Sequence, residues 1–143
     1  MTKKTNVISI RFYKPADYKE LSENLKSARM LHLPTDSEIN FNKKIKRNPD
    51  SILIGQIDGK FAGNIVISED GWNAVLFRLA VSQKYRKQGI GTKLLEKAVN
   101  ILKRKRYDNV LLMADPNDKA LIKFYKHRGF HPLVERLLMV KKL

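Results

Sequence analysis

The stretch Arg78-Leu79-Ala80-Val81-Ser82-Gln83-Lys84-Tyr85-Arg86-Lys87-Gln88-Gly89-Ile90-Gly91 decides the fold. It leads from an apolar segment, Asn73 to Val81, through a basic turn with two glycines into a helical pattern that continues to about Arg106. In that pattern Ile90, Leu94, Leu95, Ala98, Val99 and Leu102 share one face, and Lys93, Glu96, Lys97 and Lys103 the other. This is the stripe of a helix laid on a core. Asn109 to Ala114 reads as a further strand. Strand, helix and strand in this order predict a right-handed crossover between two parallel strands.

The pattern on either side completes an α/β chain. Val7 to Phe12 alternates as a first strand. Lys14-Pro15-Ala16-Asp17 opens a helix with Pro15 at an early position, and Tyr18, Leu21, Leu25 and Ala28 mark its apolar face. Pro34-Thr35-Asp36-Ser37 ends it and caps a second, lysine-rich helix from about Glu38 to Arg47. Ser51 to Ile57 and Phe61 to Ser68 are strands joined by Asp58-Gly59, a hairpin signal. Beyond the crossover, Asn117 to Arg128 is a helix closed by Gly129. Phe130 to Val134 and Leu137 to Lys142 read as two last strands.

The chemistry of the turn is anion binding. A helix start leaves N–H groups outside the hydrogen-bond ladder and carries a partial positive charge. Glycines there let a phosphate approach the backbone closely, and Lys84, Arg86 and Lys87 add full charges. The segment does not end in Gly-Lys-Ser/Thr, so it is no nucleotide-hydrolase loop. Thr92, Lys93 and Leu94 follow Gly91, so it is no dinucleotide fingerprint either. The plain alternative is a helix start with two tight-turn glycines and no ligand.

Composition narrows the classes. The 143 residues fit one domain, expected over 1–143. No cysteine is present, which excludes disulfides, thiolate metal sites and a cysteine nucleophile. No His or carboxylate cluster has metal-ligand spacing, so no metal is expected. Met1 to Ser9 lacks the apolar run of a signal peptide, and no segment approaches the length of a membrane span; a cytoplasmic protein without membrane association is the expectation. Lysine and arginine number 29 against 14 acids, a net charge of +15 that attracts polyanions. A lysine-rich compositional habit explains that excess equally well.

A second motif joins the first. Asn117, Ala120, Phe124-Tyr125 and Gly129-Phe130 stand at the spacing N-x-x-A-x-x-x-F-Y-x-x-x-G-F, some thirty residues after R-x-x-G-x-G. Together and in this order they resemble the GNAT superfamily of acyl-CoA-dependent N-acetyltransferases. The resemblance implies a mixed central sheet of about six to seven strands, about four helices, and two splayed parallel strands at the cofactor site. It implies acetyl-CoA as co-substrate and a primary amine as acceptor. Residue by residue, the backbone N–H of Leu79 would polarise the thioester carbonyl as an oxyanion donor does, and Val81 would bond the pantetheine amides. Arg86, Lys87, Gln88, Gly89, Ile90, Gly91 and Thr92 would hold the pyrophosphate. Asn117 would bond the cofactor arm. Tyr125 matches the tyrosine that protonates the leaving thiolate; the alternative for Tyr125 is a core aromatic, since Leu121, Phe124 and Tyr125 fall at helical spacing.

One departure stands out. Members of the superfamily often carry a glutamate on the central strand as general base, and Asn73 to Leu79 holds no carboxylate. Glu69, Asp70 and Asp115, at strand ends, and His32, in the loop between the first two helices, are the candidates, each readable as a turn or surface residue. His127 and His131 read as structural. The missing glutamate leaves room for a CoA-binding regulatory or interaction module without catalysis. The basic run Lys84 to Arg106, with Lys103-Arg104-Lys105-Arg106 at its end, leaves room for a nucleic-acid-associated protein. A homodimer is left open. The acceptor side is expected around Ala28 to Phe41, where Arg29, His32, Asp36 and Glu38 could face an amine.

Overall fold

Five strands make one sheet in the order β1-β2-β3-β4-β5 in this computed structural model, which describes residues 6–135 and 137–143. β1 (Ile8–Phe12), β2 (Ile52–Ile57), β3 (Lys60–Glu69) and β4 (Ala74–Val81) pair antiparallel, and β5 (Leu111–Leu112) pairs parallel to β4. The helices are α1 (Tyr18–Ser27), entered through a 3-10 turn at Pro15–Asp17, then α2 (Glu38–Arg47), α3 (Ile90–Arg104) and α4 (Lys119–Lys126). The chain divides into two compact units, Met1–Leu112 and Met113–Leu143.

Local chemistry accounts for these elements. Ser37 caps α2, its hydroxyl accepting from the Asn40 N–H at 3.2 Å. Asp58 and Gly59, at φ 51° and 77°, turn β2 into β3 as their type predicts. Tyr107 pins the next turn, its hydroxyl accepting from the Gly71 N–H at 2.7 Å.

The sheet is covered on both faces. On one, Leu21 and Leu25 of α1 and Phe41 of α2 cluster with Tyr13, Ile52, Ile54, Val66 and Ala80. On the other, α3 packs on β2, β3 and β4 and buries Ile90, Leu94, Leu95, Ala98, Ile101 and Leu102. Ile101 thus joins the inward face, while Val99 is half-buried at its margin.

Two expectations are corrected. The sheet has five strands among the described residues, fewer than the six to seven expected, and β5 keeps only two residues of the segment Asn109 to Ala114. The described residues of Phe130 to Val134 and Leu137 to Lys142 form no strand; Arg136 lies outside the description. Short apolar runs suit a strand, but a strand also needs a ladder partner for its backbone groups. None of these residues has one, and Leu137 to Val140 are exposed.

Tyr13 yields a stability prediction. Its ring meets Phe41 edge-on at 6.0 Å, yet its buried hydroxyl has no hydrogen-bond partner among the described residues. Burial, aided by the nearby Glu38 carboxylate, pushes the phenol up to about 12. The folded state disfavours the phenolate more than the unfolded chain does. The stability tied to this group is therefore intact below the ordinary phenol value of about 10 and declines as pH rises from there toward the folded value. Tyr13→Phe keeps the ring and removes the unpaired hydroxyl. Urea unfolding at neutral pH should show the variant equal to the wild type or up to about 1 kcal/mol more stable. Above pH ~10 it should lose less stability than the wild type does. A loss of more than about 1 kcal/mol at neutral pH would contradict the unpaired hydroxyl.

Candidate active site

The site grows from the end of β4. The chain leaves Val81 through a 3-10 turn, Gln83–Tyr85, and reaches α3 through Lys87 at φ 64° and Gly89 at φ 90°. Gly89 is the N-cap of α3, and a glycine enters this left-handed region without the strain of a Cβ. A Cβ built on it would meet nothing within 4 Å, so the space in front of the helix start is open. The first intrahelical bond runs from the Lys93 N–H to the Gly89 carbonyl at 3.0 Å. The N–H groups of Ile90 and Gly91 therefore lie before the ladder begins. Lys84, Arg86, Lys87 and Gln88 are exposed around them. This donor set fits a pyrophosphate: backbone N–H groups, a helix dipole and basic side chains, with no carboxylate in the turn. Arg86 also folds back, its Nε donating to the Val81 carbonyl at 3.5 Å.

Upstream, β4 is bulged. Its pairing with β3 steps from Asn64↔Ala80 to Val66↔Phe77, so Arg78 and Leu79 together face Ile65. Arg78 takes φ 55°, uncommon for a residue with a side chain. Its carbonyl accepts from Asn64 Nδ2 at 2.8 Å. Asn64, fully buried, accepts from Asn24 Nδ2 at 2.9 Å, and Asn24 also donates to the Ala80 carbonyl at 3.1 Å. On the other edge β4 is registered with β5 only at Val75↔Leu111 and Leu76↔Leu112, so Leu79 and Val81 lie beyond the last registered pair.

Outside the bulge, the Arg78 guanidinium pairs with the buried Asp36 carboxylate at 3.2 Å. Asp36 also accepts from the His32 N–H at 2.7 Å, and its own carbonyl accepts from the Tyr18 hydroxyl at 2.9 Å. The segment between α1 and α2 is thereby tied to β4. Beside it a groove of about 1020 Å³ is lined by Lys43, Lys44 and Arg47 of α2, by apolar Val66 and Phe77, and by Arg78. Of the region expected to face an acceptor, Asp36 lines this groove and Arg29, His32 and Glu38 do not.

The second unit holds the other motif. Asn117 is exposed ahead of α4, its N–H donating to the Asp115 carboxylate at 2.9 Å. Asp118 caps α4 through the Leu121 N–H at 3.0 Å. Tyr125 is half-buried between Phe124 and Phe130, with ring centroids 5.4 and 5.7 Å away. Burial raises its phenol above the ordinary value, so it stays protonated at neutral pH. Gly129, at φ 88°, follows the helix end as expected. Leu79, Val81 and the turn from Arg86 to Thr92 thus belong to the first unit, and Asn117 and Tyr125 to the second.

The carboxylates weighed as bases have structural partners. Glu69 accepts from Lys105 Nζ at 2.8 Å. Asp70 accepts from the N–H groups of Trp72 and Asn73, which hold it below the usual carboxylate range. The same Lys105 reaches Asp50, so one cation of the Lys103 to Arg106 cluster is engaged within the protein. Among the described residues no group of acidic, His or Cys side chains is arranged to hold a metal ion.

Asn24 and Asn64 were not singled out by the sequence reading. Each is a polar residue inside an apolar pattern: Asn24 next to Leu25 on the buried face of α1, Asn64 within the run Ala62 to Ile67. A polar side chain at a core position needs a partner, and that need was the available signal.

Comparison with known proteins agrees with this geometry. The profile of the Acetyltransferase (GNAT) family matches residues 18–130. An acetyltransferase of Sodalis glossinidius is 24% identical over 136 residues, covering 95% of this chain and 96% of that relative. Among solved structures, the PaiA N-acetyltransferase of Thermoplasma acidophilum in complex with coenzyme A aligns at a TM-score of 0.73 and 22% identity, covering 87% of this chain and 90% of its own. An aminoglycoside N-acetyltransferase in complex with CoA aligns at 0.77 and 18% identity over 99% of both chains. At these identities the structures establish the fold. With the family profile covering most of its length, the chain belongs to the GNAT acetyltransferase family.

Proposed function

We propose that residues 1–143 act as one N-acetyltransferase domain that moves an acetyl group from acetyl-CoA directly to a primary amine. The observation that carries this reading is the layout of β4: a strained bulge at Arg78-Leu79 and, ten residues on, an open helix start ringed by basic side chains. One strand end thus offers an oxyanion donor and an anion site. The CoA named in the complexes of two structural relatives supports the same ligand.

In this reading the turn from Arg86 to Thr92 holds the pyrophosphate, Val81 and Asn117 hold the pantetheine arm, and the Leu79 N–H polarises the carbonyl. The amine nitrogen bonds to the carbonyl carbon as the carbon–sulfur bond breaks. Tyr125 gives its proton to the departing sulfur and takes one back from solvent. The amine's surplus proton leaves to solvent, because the candidate carboxylates Glu69 and Asp70 already serve the fold. The strong positive potential of the chain lowers the amine's pKa and assists that loss.

The groove beside the bulge shapes the acceptor. Lys43, Lys44 and Arg47 recur along one stripe of α2, and no carboxylate is paired with them among the described residues. Asp36, Glu69 and Asp70 also line the groove; Asp36 is engaged by Arg78, Glu69 by Lys105, and Asp70 by the backbone N–H groups of Asn73 and Trp72. Burial holds the Lys44 ammonium below its ordinary value, countered in part by Glu69. A carboxylate or phosphate on the acceptor would meet this wall in charge-assisted hydrogen bonds. An acceptor screen with mass-spectrometric detection tests the reading. It should include an alkyl amine, spermidine, phosphoethanolamine, glutamate, and lysine peptides with acidic or basic flanks. Transfer to the anionic acceptors should exceed transfer to spermidine by about tenfold or more in kcat/KM, the scale of one hydrogen bond to a charged group. Preference for spermidine would refute the acceptor class; CoA binding without transfer to any amine would refute the enzyme.

A further inference from the structure

We infer that Asn64 is a positioning residue for the reaction: through its bond to the Arg78 carbonyl it sets the direction of the Leu79 N–H. The inference rests on the reading of Leu79 as the oxyanion donor. It follows from the peptide unit itself. The Arg78 carbonyl and the Leu79 N–H belong to one peptide, and in a planar trans peptide they point in opposite directions. Whatever fixes the carbonyl aims the N–H. Here the fixing group is the Asn64 amide at 2.8 Å.

The surroundings make that bond firm. Asn64 is fully buried, so no water competes for its amide. Its oxygen is claimed by Asn24 Nδ2 at 2.9 Å, which settles which end of the amide turns toward Arg78. Asn24 is anchored in turn on the Ala80 carbonyl at 3.1 Å, the residue across from Asn64 in the β3–β4 register. The two asparagines therefore brace the bulge on both sides of Leu79. The brace matters because Arg78 at φ 55° is strained, and such a conformation persists only where its surroundings hold it. In an apolar core, two hydrogen-bonded amides are a costly device for packing alone. Their bonds converge on the one peptide whose orientation the reaction needs.

The test separates aiming from stability. Isotope-edited infrared spectroscopy of bound acetyl-CoA reads polarisation of its carbonyl as a shift to lower frequency. The wild type should show that shift. Asn64→Ala should lose most of it and lower kcat by about tenfold to a hundredfold, approaching the cost of deleting an oxyanion donor. CoA, which lacks the thioester carbonyl, should bind both forms equally. Asn24→Ala leaves the Asn64 bond in place but unsupported. It should shift both readouts in the same direction by less, and it serves where Asn64→Ala does not fold. A folded variant at either position with the wild-type carbonyl frequency and full kcat would overturn the inference. No shift in the wild type would overturn the reading of Leu79 as donor, and the inference with it.

Discussion

Tyr125→Phe is expected to lower turnover about 10² to 10⁴-fold, the usual contribution of a general acid, with little change in the KM for acetyl-CoA. The ring of Tyr125 packs edge-on against Phe124 and Phe130, and a phenylalanine keeps both contacts. What is lost is the phenolic proton. Burial raises that phenol above its ordinary value, so it is present as a donor throughout the neutral range. The loss should therefore be seen at every pH between about 6 and 9, well below the ordinary phenol value. It should be largest with acceptors for which chemistry limits the rate. Steady-state kinetics with a single-turnover check provides the measurement. Wild-type turnover with chemistry rate-limiting would reduce Tyr125 to a core aromatic.

Gly91→Glu is expected to abolish measurable CoA binding, with a loss of affinity of about a hundredfold or more. Gly91 sits in the first turn of α3, among the N–H groups that precede the ladder. A glutamate there adds bulk and a negative charge beside the site read for pyrophosphate, and like charges in contact cost several kcal/mol, with each ~1.4 kcal/mol a factor of ten. A carboxylate in the first turn is otherwise favourable to a helix, so the variant should fold. Calorimetric titration of CoA into the folded variant is the measurement. Unchanged affinity would place the anion site elsewhere.

Most of the fold was legible because its signals are local. α2 occupies the span that its cap and lysine pattern predicted, and the hairpin turns at Asp58-Gly59. The parallel pairing of β4 with β5 followed from the strand, helix and strand order. The last segments were misread because the apolar runs in Phe130 to Lys142 describe side-chain character, and pairing depends on partners far along the chain. The proposal of an anion site at the turn rests on its glycines and charges. The resemblance, more than any local physics, picked out Leu79 and Tyr125. The bulge escaped notice because nothing in Arg78-Leu79-Ala80 announces a left-handed residue: Arg78 takes φ 55° through a hydrogen bond from another strand. Asn24 and Asn64 are forty positions apart and meet only in the folded core.

The rate of thiol release from acetyl-CoA by the purified protein, with and without a panel of primary amines, tests catalysis most directly. Release should depend on the amine, match the acetylated amine one for one, and vanish in Gly91→Glu. Intact-mass analysis of the protein incubated with acetyl-CoA alone should find no acetyl group held on the enzyme along the route. CoA bound with no amine-dependent thiol release from any acceptor would contradict catalysis and leave a protein that only binds its ligand.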